Sequence, residues 1–123
     1  AETNPVVKEK MLAASARDTL RSRSRTGKPS RQLRSGWTEA WERPDAPEPL
    51  PMPMQSMVSE PALSKVDKLS QQGHGGAQAL ATYWVGQGVG LMNEARPVRA
   101  VVQDFQEDFL HAHERLQTFL GEG

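Results

Sequence analysis

Six basic residues, Arg21, Arg23, Arg25, Lys28, Arg31 and Arg34, fall in a stretch that holds no acidic side chain. Such a run is the electrostatic footprint of a phosphate or nucleic-acid contact. Trp37 and Trp41 follow the run rather than interleaving with it as base-stacking platforms do, so a solvated or salt-bridging basic segment is the better reading. A second candidate is Gly86-Gln87-Gly88-Val89-Gly90. It misses the G-x-G-x-x-G spacing and no hydrophobic strand is read before it, so it fails as a dinucleotide fingerprint. Glycines there do permit close approach of backbone to another element or to a ligand. The histidines are His74, His111 and His113. On one helix, His111 and His113 would point about 200° apart and could not chelate one ion together. His74 stands in a glycine-rich joint with no carboxylate at a motif spacing. Glu107 and Asp108 fall on the polar face of a helix, and no G-x-S-x-G nucleophile elbow is present. Residue types and spacing alone give no catalytic residue and no metal site in this chain.

The elements that would position these groups follow from local pattern. Asn4-Pro5 opens a helix, with Asn at the cap and Pro at the first helical position, and Val7, Met11, Leu12 and Ala14 give it a short apolar stripe. From Thr19 to Arg34 the residues alternate with period two, Leu20, Ser22, Ser24 and Thr26 against Arg21, Arg23 and Arg25. Gly27-Lys28-Pro29 marks a turn, so an extended segment, a turn and an extended return through Gln32-Leu33 are expected. Trp37 and Trp41, at i and i+4, predict a helical turn over Thr38 to Glu42 that anchors both rings. Five prolines, at 44, 47, 49, 51 and 53, exclude a helix or central strand and favour a polyproline strap; the interleaved Leu50, Met52 and Met54 favour its lying on a surface. Ser59-Glu60-Pro61 opens a helix carrying Leu63, Val66 and Leu69, which ends at Gln71-Gln72-Gly73. Residues 77–94 read helical at both ends with glycines between. Val98, Val101, Val102, Phe105, Phe109, Ala112, Leu116 and Phe119 form an amphipathic stripe of about six turns, with Pro97 at its start and Gly121 just past its end.

Bulk composition limits the functions further. The 123 residues carry 15 basic and 15 acidic side chains, so no global field draws in nucleic acid or an anionic membrane. There is no cysteine, hence no disulfide scaffold and no thiolate chemistry. No apolar run approaches the roughly 18 residues that cross a bilayer. Only 37% of residues are hydrophobic and the mean hydropathy is -0.63, which implies a modest core. A start at Ala1-Glu2-Thr3 without initiator Met or signal-peptide core reads as a cut, processed or partial chain.

Tyr83-Trp84-Val85-Gly86-Gln87-Gly88-Val89-Gly90-Leu91, then Asn93-Glu94-Ala95-Arg96-Pro97 and an amphipathic helix, resembles the closing motif of the nitronate monooxygenases, formerly called 2-nitropropane dioxygenases. Asn4-Pro5-x-x-Lys8-x-x-Met11-Leu12 resembles the helix after that family's last barrel strand. Thr26-Gly27-Lys28-Pro29-x-Arg31-x-Leu33-Arg34 resembles its Gly-(Arg/Lys)-Pro-x-Arg segment. The three occur in the family's order.

The resemblance implies a mainly α C-terminal lobe, with a short extended or β segment at about 18–35 and a Pro-rich strap, appended to an FMN-binding (β/α)₈ barrel. Such a barrel takes about 250 residues, so its strands fall outside this chain, and Ala1-Glu2-Thr3 would follow the eighth. The expected divisions are 1–43, a post-barrel helix and basic extended segment; 44–61, the strap; and 62–123, a helical lobe. The implied cofactor is FMN, bound mainly by residues upstream; the flavin-phosphate segment and the catalytic base have no counterpart here. Gly86 and Gln87 are the residues carried over as flavin contacts: glycine allows close approach, and the Gln amide offers a donor and an acceptor. Lys28 and Arg31 are read as structural. Implied partners are the barrel portion of the same enzyme, a small-molecule substrate and, as an open option, a second copy in a homodimer, in a cytoplasmic setting without nucleic acid or membrane. The implied reaction is oxidation of alkyl nitronates by O₂; NAD(P)H-dependent reduction of enoyl thioesters or quinones is the alternative within the family. A self-standing interaction module, binding through the strap and the tryptophans, is the reading from another class, and a basic RNA-binding arm is a third.

Overall fold

The computed structural model describes residues 3–121, and the reading placed on Ala1 and Glu2 lies outside them. The described chain is mainly helical, with one two-stranded antiparallel sheet. In order, it forms α1 (Pro5–Ala13), a 3₁₀ turn (Ala16–Asp18), β1 (Thr19–Ser22), β2 (Ser30–Leu33), α2 (Gly36–Glu42), α3 (Met54–Gln71), α4 (Gly75–Leu80), a second 3₁₀ turn (Gln87–Leu91) and α5 (Val98–Gly121). Two compact units result, Ala1–Asn93 and Glu94–Gly123.

In the first unit, polar anchors do much of the work that a small apolar core cannot. Asn4 caps α1 by accepting from the Val6 N–H at 2.9 Å. Its amide also donates to Asp67 Oδ1 and Ser70 Oγ of α3, at 2.7 and 2.8 Å, so one residue starts α1 and ties it to α3. Val7 is buried, whereas Leu12 of the expected stripe is 36% exposed. At the other end of α1, Lys10 Nζ donates to the carbonyls of Gln78 and Ala81, the last turn of α4 and the residue beyond it. Burial pushes the Lys10 amine below its ordinary value, while these two carbonyls favour the charged form.

The period-two segment forms the expected hairpin, with Leu20 opposite Gln32 and Arg21 opposite Arg31. Its loop, residues 23–29, turns at Gly27, whose φ of +84° suits glycine. A Cβ at Gly27 would come within 2.7 Å of Met52 N and nearer still to Leu50 O, so the proline-rich strap lies directly on this turn. Gln55 fastens both pieces, accepting from Leu50 N–H at 3.0 Å and donating to Ser24 O at 2.7 Å.

Three expectations change. The third helix begins at Met54, not at 59–61, and Pro61 sits inside it, so the expected strap limit falls within α3. Pro61 removes one N–H from the ladder, and the carbonyl it would have met belongs to exposed Met57, where water can serve. Buried Gln55 and Ser59 hold the added turn, Ser59 Oγ donating to Arg25 O. Residues 77–94 are not helical at both ends: α4 begins earlier, at Gly75, and stops at Leu80. The chain then extends, because Leu33 N–H donates to Tyr83 O at 2.9 Å and Val85 N–H to Arg31 O at 3.3 Å, and residues 92–94 are not helical. Third, Gly121 belongs to the last helix instead of following it.

The second unit is α5 with its lead-in. The Pro97 carbonyl accepts from Ala100 and Val101 N–H, and Arg96 pairs with Asp104 and Glu94. The expected apolar stripe is present, and no described residue of α5 is buried.

Candidate functional site

The sheet edge and the glycine run meet at one place. Trp84 bridges to Gln32 of β2, and its indole N–H donates to Ser30 Oγ at 3.3 Å. Residues 83–85 thus extend along β2 through one isolated bridge, without forming a strand ahead of Gly86. The backbone then turns at Gly86 into the 3₁₀ turn Gln87–Leu91, anchored by buried Val89. A Cβ at Gly90 would stand 2.9 Å from Ala16 N, so packing requires glycine there.

Gly86 and Gly88 differ. A Cβ at Gly86 would meet only Gly88 N at 3.9 Å, and one at Gly88 would meet nothing within 4 Å. Neither has a positive φ. Gln87 is exposed, and among the described residues its amide makes no hydrogen bond. The structure therefore places Gly86 and Gln87 side by side on an open turn at the end of a sheet edge. Packing within the chain explains Gly90 but not Gly86 or Gly88.

The basic run does not form one face. Arg21 and Arg23 are exposed, and Arg23 Nε donates to Gly27 O at 3.0 Å. Arg31 Nη1 donates to Thr19 Oγ1 at 2.9 Å, a structural contact, while Lys28 is exposed. Arg25 is buried at 8% exposure, although the alternation groups it with Arg21 and Arg23. The strand ends at Ser22, and in the loop beyond it alternation no longer decides which way a side chain faces.

Arg25 forms the centre of the cluster that sequence reasoning missed. Its Nε and Nη2 meet Glu60 Oε1 and Oε2 at 2.8 and 3.2 Å. Its guanidinium lies 3.8 Å from the Trp84 ring centre and 5.6 Å from that of Tyr83. Arg25, Glu60 and Tyr83 line a cleft of about 480 Å³ together with Asn4, Val7, Leu63 and Asp67, and Trp84 lies outside it. Its polar groups are largely committed to the fold: Arg25 to Glu60, Asn4 to Asp67 and Ser70, and Thr82 Oγ1 to Leu33 O. Gly86 and Gln87 are not among its lining residues. The one signal in the sequence was the paired aromatics Tyr83-Trp84 with a glycine turn next to a basic run.

His74 caps α4, its Nδ1 accepting from Ala77 N–H at 3.3 Å. His111 and His113 are exposed on α5. Among the described residues, no group of three or more His, Cys, Asp or Glu side chains could hold a metal ion, and no helix is long and apolar enough to cross a membrane. Trp37 and Trp41 pack with ring centres 6.1 Å apart, and Trp37 Nε1 donates to Ser24 Oγ at 3.2 Å.

No protein-family profile and no solved structure matches the chain. Over 118 residues it is 52% identical to a protein of Mycobacterium tuberculosis named "Putative monooxygenase Rv1533". That match covers 95% of this chain and 31% of the relative, so the chain is similar, over nearly its whole length, to about a third of a longer protein bearing a monooxygenase name.

Proposed function

We propose that this chain is the C-terminal part of a flavin-dependent oxidoreductase resembling the nitronate monooxygenases, packed on an upstream FMN-binding barrel and helping to close its flavin site. The observation that carries this reading is the 52% identity, over 95% of the chain, to a protein named as a monooxygenase. The three ordered motifs support the narrower assignment to the nitronate type. Gly86 and Gly88 are compatible with a close approach from outside the chain, since neither conformation nor packing within it asks for glycine at either position.

The fit to FMN is limited to an edge contact. The exposed Gln87 amide has donors and an acceptor uncommitted, and the backbone above Gly86–Gly88 is open. These residues do not enclose a ring system, so the main hold on the cofactor falls to upstream residues. When bound, FMN supplies the electron transfer that joins oxidation of the substrate to reduction of O₂; this chain's share is to orient one edge and to exclude water.

The full-length protein tests the proposal. It should purify with FMN and consume O₂ with an alkyl nitronate. Turnover of NADH with quinone, or of NAD(P)H with an enoyl thioester, would move the reaction to the reductase alternative, and protein that neither carries nor binds FMN would overturn the reading. The interaction-module alternative keeps the outward-facing Leu50, Met52 and Met54, which do not pin the strap as expected, but the strap backbone is seated on Gly27 and Trp37 is bonded to Ser24.

A further inference from the structure

The stripe of α5 has a finer order than amphipathicity. Val102, Phe109 and Leu116 recur every seventh residue, and Val98, Phe105, Ala112 and Phe119 recur every seventh residue between them. These are the a and d positions of a heptad seam over three heptads, the pattern by which two helices pair. Phe105 and Phe109 are each 72% exposed and Phe119 is 78% exposed. The polar pairs of the helix keep clear of the seam: Arg96 with Asp104, Gln103 with Glu107, and Thr118 with the Glu114 carbonyl lie at outer b, c and f positions. Asp108 and Arg115, at the flanking g positions, have no hydrogen-bond or ion-pair partner among the described residues.

We propose that α5 pairs antiparallel with α5 of a second copy of this chain. Two observations select this occupant and this direction. In an antiparallel pair, a positions face d positions, so Phe109 meets Ala112, Phe105 meets Leu116 and Val102 meets Phe119 across a two-fold axis. Large faces small at the centre, which fills the seam evenly. A parallel pair would stack Ala112 on Ala112 and Phe109 on Phe109, leaving a gap beside a crowd. The same antiparallel register brings g positions together, so Asp108 faces Arg115 of the other copy twice, once on each side of the axis. Two charges that flank the seam without partners of their own thus become two complementary pairs. Leu110 lies outside this seam and is not explained by it.

The charges give a test that does not depend on flavin binding. The full-length protein should sediment as a dimer. Asp108→Arg and Arg115→Asp each set like charges against each other on both sides of the axis, and each should weaken the dimer by roughly tenfold or more. Mixed one to one, the two variants should recover a heterodimer, because each positive pair then meets a negative pair. A parallel pair would bring positions 108 and 115 against other residues and would show no recovery. A monomeric wild-type protein, unchanged association of the single variants, or failure of the mixture to associate would each overturn the proposal. The first of these would mean that another part of the same chain covers the stripe.

Discussion

Arg25 and Glu60, 35 residues apart, meet through two hydrogen bonds, Nε to Oε1 at 2.8 Å and Nη2 to Oε2 at 3.2 Å. The pair joins the hairpin loop to the middle of α3, and Trp84 lies under the guanidinium. The Arg25 side chain is 10% exposed and Glu60 is 41% exposed, so solvent screens one partner and not the other. The attraction itself is then modest, about 1 kcal/mol, but losing Glu60 leaves a buried cation short of acceptors. Glu60→Ala should cost about 1–2 kcal/mol in chemical denaturation. Arg25→Lys should cost at least as much, because a lysine can neither present two parallel donors nor lie flat on an indole. A denaturation midpoint for Arg25→Lys equal to that of the wild type would show that the fork and the stacking contribute nothing.

Gly27 and Gly73 share a φ of +84°, yet only Gly27 is covered by backbone. Alanine at Gly73 meets nothing within 4 Å, so its cost is conformational, roughly 1 kcal/mol. Alanine at Gly27 adds a clash with the strap backbone, and the sum should reach roughly 2–4 kcal/mol. Equal losses at the two positions would mean that the strap is not seated on the turn in solution.

What could be read in advance follows from which forces act locally. The cap at Asn4, the hairpin around Gly27 and the amphipathic helix that starts at Val98 depend on near neighbours, and each is legible in the sequence. Arg25 is not: its direction depends on Glu60, Ser59 and Trp84, which reach it from distant parts of the chain. The start of α3 is not legible for a similar reason, since Pro61 is a strong local stop signal that the tertiary bonds of Gln55 and Ser59 override. The segment after α4 reads as a helix by composition, and only the free edge of β2 makes it extended. Of the candidate site, the adjacency of Gly86 and Gln87 is plain in the sequence. The distinction between Gly90, held by Ala16, and the two open glycines before it needed the fold.

Asp18 predicts the acid limb of stability. The Ser15 backbone N–H at 2.7 Å holds its carboxyl below the ordinary value of 3.8, with help from the Ser15 hydroxyl and, less, from Arg34. A carboxyl whose folded-state pKa is depressed stabilises the fold above its unfolded value, and that stabilisation is lost as pH falls through the folded value. The window therefore lies below 3.8. Asp18→Asn should flatten this part of the stability curve without changing its shape near neutrality. An acid limb of unchanged slope in the variant would exclude Asp18 as a contributor.

The glycine run separates packing from ligand contact within the full-length protein. Gly90→Ala drives a Cβ to 2.9 Å from Ala16 N and should lower stability by about 1–3 kcal/mol. Gly86→Ala and Gly88→Ala find open space, so they should leave stability within about 0.5 kcal/mol of the wild type, or raise it slightly. If FMN approaches this turn, the same two substitutions should nevertheless weaken its binding. Gln87→Ala, which removes one hydrogen-bonding group, should do so about fivefold. Flavin fluorescence titrations and denaturation of the same three variants measure the two effects separately. Full FMN affinity in all three would remove Gly86 and Gln87 from the cofactor site, and would leave the open turn facing something other than the flavin.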